Sequence, residues 1–194
     1  MTQTPHTLAG LRVADAPGAW AALGFETDGG ALSVGGVALA FGAEPAVAVE
    51  LVSEGIDGVP TFAPPPARAS AHPNGVSAID HFVLVTPDFD RTAAALDALE
   101  LPLRRVRDAG GFRQGFRRLG PAILELVETQ RMPDGPARFW GVTFIASDLD
   151  ALASRLGPER VRPIKDAVQP GRRIATLDRA AGLRTNVAFM DPDP

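Results

Sequence analysis

An α+β fold built from repeated β-α-β-β-β modules is predicted by three observations. Residues 79–128 contain a period-2 apolar stretch, an Asp-capped amphipathic helix, and three more alternating stretches divided by hairpin signals. The same order of pieces returns from Phe139 onward, and in a worn form from Leu8 onward. The stretches between these copies are rich in Pro and small residues rather than in periodic apolar ones. The chain therefore divides into a degenerate first module with an added strand (1–52), a Pro-rich linker (53–78), a central module (79–132) and a last module (133–194).

In the first module "LAGLRVAD" reads as a strand. Asp15 then caps a short helix over residues 16–23, with Trp20 and Leu23 facing inward and Gly24 as its stop. Residues 25–28, 31–34 and 37–41 follow as strands, separated by the tight-turn pairs Gly29-Gly30 and Gly35-Gly36. One more strand, residues 46–52, is left over. The stretch "GVPTFAPPPARASAHPNG" is a linker or an ordered crossing segment, long enough to carry the chain across the molecule.

In the central module Ile79, His81, Val83 and Val85 alternate with Phe82, Leu84 and Thr86, so both faces of this strand are largely covered. Asp88 caps a helix whose inner face carries Phe89, Ala93, Leu96 and Leu99. Strands over residues 103–107, 112–119 and 123–128 are divided by Asp108-Ala109-Gly110-Gly111 and by Gly120-Pro121. In the last module "FWGVTFIA" is a strand, Asp148 a cap, Leu149, Leu152 and Leu156 an inward face, and Gly157 the helix stop. "VRPIK", "GRRIATL" and "TNVAFMDP" supply three strands, with a turn at residues 178–182.

Composition narrows the function classes. A chain of 194 residues that is 45% hydrophobic and 22% charged has an ordinary globular composition. A net charge of -4 gives no field that favours phosphate backbones, so nucleic acid is not an expected partner. The absence of cysteine excludes disulfides, thiolate nucleophiles and thiolate metal sites. No apolar run is long enough to span a membrane and the start carries no basic targeting segment, so a cytoplasmic location is expected. Patterns of the GxGxxG, P-loop and GxSxG kinds are absent.

The β-α-β-β-β order, with "DH" in the first strand of the central module, "TPD" opening its helix and "ILELVE" in its last strand, resembles the glyoxalase-like proteins of the vicinal oxygen chelate superfamily. That resemblance implies paired modules whose curved mixed sheets form a cup. It also implies a divalent metal held by one residue from the first strand and one from the last strand of each module. His81 and Glu125 match those two places in the central module. In the last module the matching residues are Gly141 and Ala188, and in the first they are Leu8 with either Ala40 or Glu50. Ala40 fits the hairpin break as well as the strand, which leaves residues 46–52 as an added strand. The ligand set for a metal is thus partial. Three modules where modules pair leave the first either packed beside the other two, which form the cup, or meeting the same element of a second subunit, and a two-fold homodimer is expected.

The candidate site residues are His81, Glu125, Arg113, Arg117 and Trp140. Imidazole and carboxylate suit Zn, Fe, Mn or Ni, yet the same pair can hydrogen-bond each other or a ligand in a polar cup, or act as a general base without metal. Arg113 and Arg117 share a strand face and on the cup side would bind a carboxylate or phosphate; on the other side they are solvated arginines. Trp140 lines an aromatic pocket wall or belongs to the core. Arg172 and Arg173 point to opposite faces, so at most one looks into the cup. Glu128 is expected at a solvated strand end, His72 on a mobile surface segment and His6 in a disordered start. Two function classes follow: a metal-free protein that binds a small organic molecule, as bleomycin-resistance proteins of the superfamily do, or a metal-dependent glyoxalase, epimerase or dioxygenase type of enzyme.

Overall fold

The structure, a computed structural model, describes residues 6–108 and 110–193; residues 1–5, Ala109 and Pro194 lie outside the described residues. The first module consists of β1 (Leu8–Val13), α1 (Pro17–Ala21), β2 (Ala31–Val34), β3 (Val37–Phe41) and β4 (Ala46–Val49). The central module follows as β5 (Val76–Thr86), α2 (Phe89–Ala98), β6 (Arg105–Asp108), β7 (Arg113–Leu119) and β8 (Ala122–Glu128). The last contains β9 (Arg138–Ala146), α3 (Leu149–Leu156), β10 (Lys165–Asp166), β11 (Arg173–Thr176) and β12 (Asn186–Met190).

In the central and last modules the first strand runs parallel to the last, β5 with β8 and β9 with β12, and in the first module β1 runs parallel to β3, ahead of the added strand β4. A parallel neighbour needs a crossover, which the helix and the intervening strands provide. The first module forms a four-stranded sheet in the order β2-β3-β1-β4. The other two join along β5 and β9, which pair antiparallel, into one eight-stranded sheet, β10-β11-β12-β9-β5-β8-β7-β6. Because β3 is the strand parallel to β1, Ala40 rather than Glu50 occupies the place that Glu125 holds in the central module. Strand β4 lies on the other side of β1, antiparallel to it, as β9 lies beside β5.

The eight-stranded sheet has one closed and one open face. On the closed face Phe82, Leu84, Leu124, Leu126, Phe144 and Phe189 are fully buried under α2, α3 and the first module. Asp88 and Asp148 cap their helices as their sequence context predicts, accepting from Arg91 N at 3.0 Å and Ala151 N at 2.9 Å. Trp20 and Phe25 from the first module meet Phe144 with ring centroids 6.0 and 5.2 Å apart, so both sheets share one core. Away from that contact, Phe62 and Pro64 of the linker cover Gly10, and the Arg12 guanidinium lies 5.1 Å from the Phe62 ring centroid. The first module is therefore packed beside the other two within one chain, the first of the two arrangements expected for it. Among the described residues no helix is long and apolar enough to cross a membrane.

Several local expectations are corrected. Asp15 does not cap α1, whose N-cap is Ala16 with no side-chain bond. Its carboxylate instead accepts from Arg184 N and Thr185 N and Oγ1, tying the first module to the segment before β12. Counting seven back from Asp15 therefore misplaces the His81 counterpart: the β1–β3 register pairs Gly10 with Ala38 as β5–β8 pairs His81 with Ile123, so Gly10 takes the place given to Leu8. Residues 25–28 make only a bridge between Asp28 and Ala31, and β4 stops at Val49, before Leu51 enters positive φ. "VRPIK" contributes one bridge, Val161 to Leu177, and the two-residue β10. His72 is buried and fixed: Nδ1 accepts from Glu26 N at 3.1 Å, and Nε2 lies 2.9 Å from Ser33 O. His6 is buried too rather than part of a disordered start.

Candidate functional site

The open face of the eight-stranded sheet carries a cavity of about 860 Å³. Its floor follows from strand alternation: His81, Val83 and Val85 of β5 lie beside Glu125 and Val127 of β8 on one flank. Thr143 of β9 and Ala188 of β12 lie on the other. Trp140 stands at the mouth, 47% exposed, and Phe112 of the β6–β7 hairpin lines the same cavity. Both modules of the sheet thus contribute, while the first module, on the closed face, does not.

A break in alternation shapes the polar part of the floor. In the β5–β9 register Ile79 faces Phe144 and His81 faces Thr143, so Asp80 is an extra residue on β5, in a bulge. The bulge lets neighbouring side chains meet: Asp80 Oδ2 lies 2.6 Å from His81 Nδ1. Arg172, nearly fully buried, meets Asp80 Oδ1 through Nη2 at 2.8 Å, as an ion pair rather than an aligned hydrogen bond. Nε of Arg172 donates to Asp191 O at 2.9 Å. Burial alone would raise the Asp80 pKa, but His81 and Arg172 outweigh it and hold the carboxyl below its ordinary range. With Nδ1–H donating to Asp80, His81 presents Nε2 to Thr143 Oγ1 at 3.0 Å and to Glu125 Oε2 at 3.7 Å. Burial pushes the Glu125 carboxyl upward, His81 and Arg107 oppose this in part, and Asp80 adds to it.

The Glu125 shift carries a prediction. A carboxyl whose folded pKa lies above the unfolded value of about 4.3 adds stability below that value, and the contribution is lost as pH rises through the folded pKa. Glu125→Gln is therefore expected to melt at a higher temperature than the native protein at pH 7, with the difference closing towards pH 4. Thermal melts of both proteins across that range check it, and a difference independent of pH would refute the assignment of burial as the dominant cause.

Arg113 and Arg117 do not face the cup. Antiparallel pairing sets Phe116 opposite Glu125, and directly opposed residues share a face, so Gln114, Phe116 and Arg118 take the open side. Arg113 folds onto α2, donating to Asp90 Oδ1 at 2.7 Å and to Glu128 Oε1 at 3.0 Å, with its guanidinium 4.7 Å from the Phe89 centroid. Glu128 is thus a structural ion-pair partner rather than a solvated strand end. Arg117 is buried on the same side near Pro102 O, and burial together with Arg104 lowers its pKa. Arg173 likewise pairs with Asp150 and Asp191 at 2.8 Å.

The divalent metal implied by the family resemblance can be tested against these donors. His81 Nε2 and a Glu125 oxygen lie close enough to face one ion. The β9–β12 register sets Gly141 opposite Asn186, with Ala188 two residues on, just as Glu125 stands two beyond the partner of His81. The symmetric places in the last module are thus Gly141 and Ala188, which offer no side-chain donor. Asp80 is committed to His81 and Arg172. Among the described residues no three His, Asp or Glu side chains are arranged to hold a metal ion. A catalytic metal needs three protein ligands, so the residues present do not fit one.

No family model matches the chain, and no curated protein matches it by sequence. Solved structures do. Methylmalonyl-CoA epimerase from Mycobacterium tuberculosis is 18% identical with a TM-score of 0.51, over 64% of this chain and 94% of that one. A hypothetical protein from Bacillus halodurans is 14% identical with a TM-score of 0.48, over 60% of this chain and 94% of that one. At such identities the likeness is one of fold, and the fold is the glyoxalase-like one.

Proposed function

We propose that the chain binds a small organic molecule in the cavity over the eight-stranded sheet, without a resident metal. The observation that carries this reading is the combination of an apolar cavity of about 860 Å³ with one polar cluster on its floor. Pockets for small ligands have this composition: apolar walls that supply affinity and a few fixed polar groups that supply orientation. Val83, Val85, Val127, Ile174 and Trp140 would hold the body of the ligand, and His81 and Glu125 its polar end. The alternative, a metal-dependent glyoxalase, epimerase or dioxygenase type of enzyme using His81 and Glu125, would need further ligands, and among the described residues no third His, Asp or Glu is arranged with them to hold a metal.

Thermal-shift screening with a panel of small aromatic and aliphatic compounds tests the proposal. A ligand present at about 100 times its Kd stabilises the folded state by roughly 2.7 kcal/mol. Ligands that stabilise the native protein should bind Trp140→Ala at least about tenfold more weakly, a loss of about 1.4 kcal/mol. Equal shifts in both proteins would place binding elsewhere.

A further inference from the structure

We infer that Arg172 and Asp80 fix His81 so that its Nε2 accepts a hydrogen bond from the hydroxyl of a neutral ligand, such as an alcohol, phenol or enol, in place of binding a metal. The inference rests on the cup-binding reading and adds the ligand's chemistry. Its basis is the order of contacts on the floor. Arg172 Nε and Nη1 are held by Asp191 O at 2.9 Å and Asp193 Oδ1 at 3.0 Å, which sets the guanidinium beside Asp80. Asp80, acceptor only, accepts a hydrogen bond from His81 Nδ1–H and thereby fixes which ring nitrogen is left as the acceptor. Nε2 then points into the cavity, where the Thr143 hydroxyl at 3.0 Å is its only close partner among the described residues. That hydroxyl can donate to Nε2 in the empty cup and rotate to accept from a second ligand group when one arrives.

The charges around Nε2 favour a neutral donor. Asp80 and Arg172 offset each other, and burial disfavours the charged form of Glu125. An anionic ligand would meet the Glu125 oxygen 3.7 Å from Nε2, and a cationic one would gain from Glu125 only by holding ionised a carboxyl whose burial disfavours that form. An O–H group matches the single acceptor, and the valine and Trp140 walls match an apolar body behind it.

The test uses naphthol and its methyl ether, which share one body and differ in the donor. Binding of each to the full chain at neutral pH is measured for the native protein, His81→Ala, Asp80→Asn and Thr143→Val. Naphthol should bind the native protein at least about tenfold more tightly than the ether, and the preference should vanish in His81→Ala and fall in Asp80→Asn. Equal binding of the two compounds by the native protein would overturn the inference while leaving the cup-binding reading in place; loss of both compounds in Trp140→Ala would then still support that reading. Failure of naphthol to bind the native protein overturns the inference as well. A nitrogen-edited NMR spectrum of the native protein gives a reading that needs no variant to fold: His81 should carry its proton on Nδ1. A proton on Nε2, or a shift of the His81 signals by added Zn or Ni that survives in Glu125→Gln, refutes the arrangement.

Discussion

Trp20→Ala is expected to cost about 3–5 kcal/mol, the range for emptying a buried aromatic site. Trp20 is fully buried and is the hinge of the contact between the two sheets: its ring meets Phe25 at 5.2 Å and 65°, and Phe144 at 6.0 Å and 81°. Both are edge-to-face arrangements, which add to the area term. Helix α1 has only five residues and no side-chain cap, so it cannot collapse onto the vacancy without losing its own register. Trp20→Phe should be far milder, on the order of 1–2 kcal/mol, for a specific reason: the buried Nε1 of Trp20 has no hydrogen-bond partner, so its removal relieves an unsatisfied donor while most of the ring stays. Urea unfolding followed by circular dichroism separates the two variants. A loss below about 1 kcal/mol in Trp20→Ala would mean that the first module docks through Asp15 and the linker instead.

The division between what the sequence shows and what it hides runs along the strands. Element identity was legible wherever a cap and a period coincided, as at Asp88 and Asp148, because a helix start needs an acceptor for its free N–H groups and little else. Asp15 has the same context but was drawn into a long-range contact with Thr185, and no local pattern reports a partner so distant in sequence. The facing of Arg113 and Arg117, left open between the cup and the other side, is legible in the hairpin. A two-residue turn at Gly120-Pro121 sets Leu119 opposite Ala122, and counting outward sets Phe116 opposite Glu125, which puts the arginines on the other side. Asp80 was hidden for a different reason. Strict alternation sends the neighbour of His81 to the closed face, and only the bulge lets the two side chains meet. Arg172, far along the chain, becomes visible only once the sheet has closed the distance.

Arg172→Ala should therefore destabilise the protein by about 3–5 kcal/mol at pH 7, because it leaves the Asp80 carboxylate buried without its cation. His81 Nδ1 still serves Oδ2, which points to the lower end of that range. The pH dependence identifies the cause. Asp80 has its folded pKa lowered, so its contribution is complete above the unfolded value of about 3.9 and is lost as pH falls through the folded pKa. Removing the guanidinium raises that folded pKa, so the penalty of Arg172→Ala must shrink as the medium is acidified towards pH 4. The double variant Asp80→Asn with Arg172→Met should recover much of the loss, since neither partner then leaves an unpaired charge. A penalty that stays constant from pH 7 to pH 4, with no recovery in the double variant, would assign the effect to the lost contacts with Asp191 and Asp193 instead. The same double variant separates stability from function: it keeps the fold but no longer fixes His81, so it should lose the preference for a hydroxyl ligand while still binding apolar compounds through Trp140.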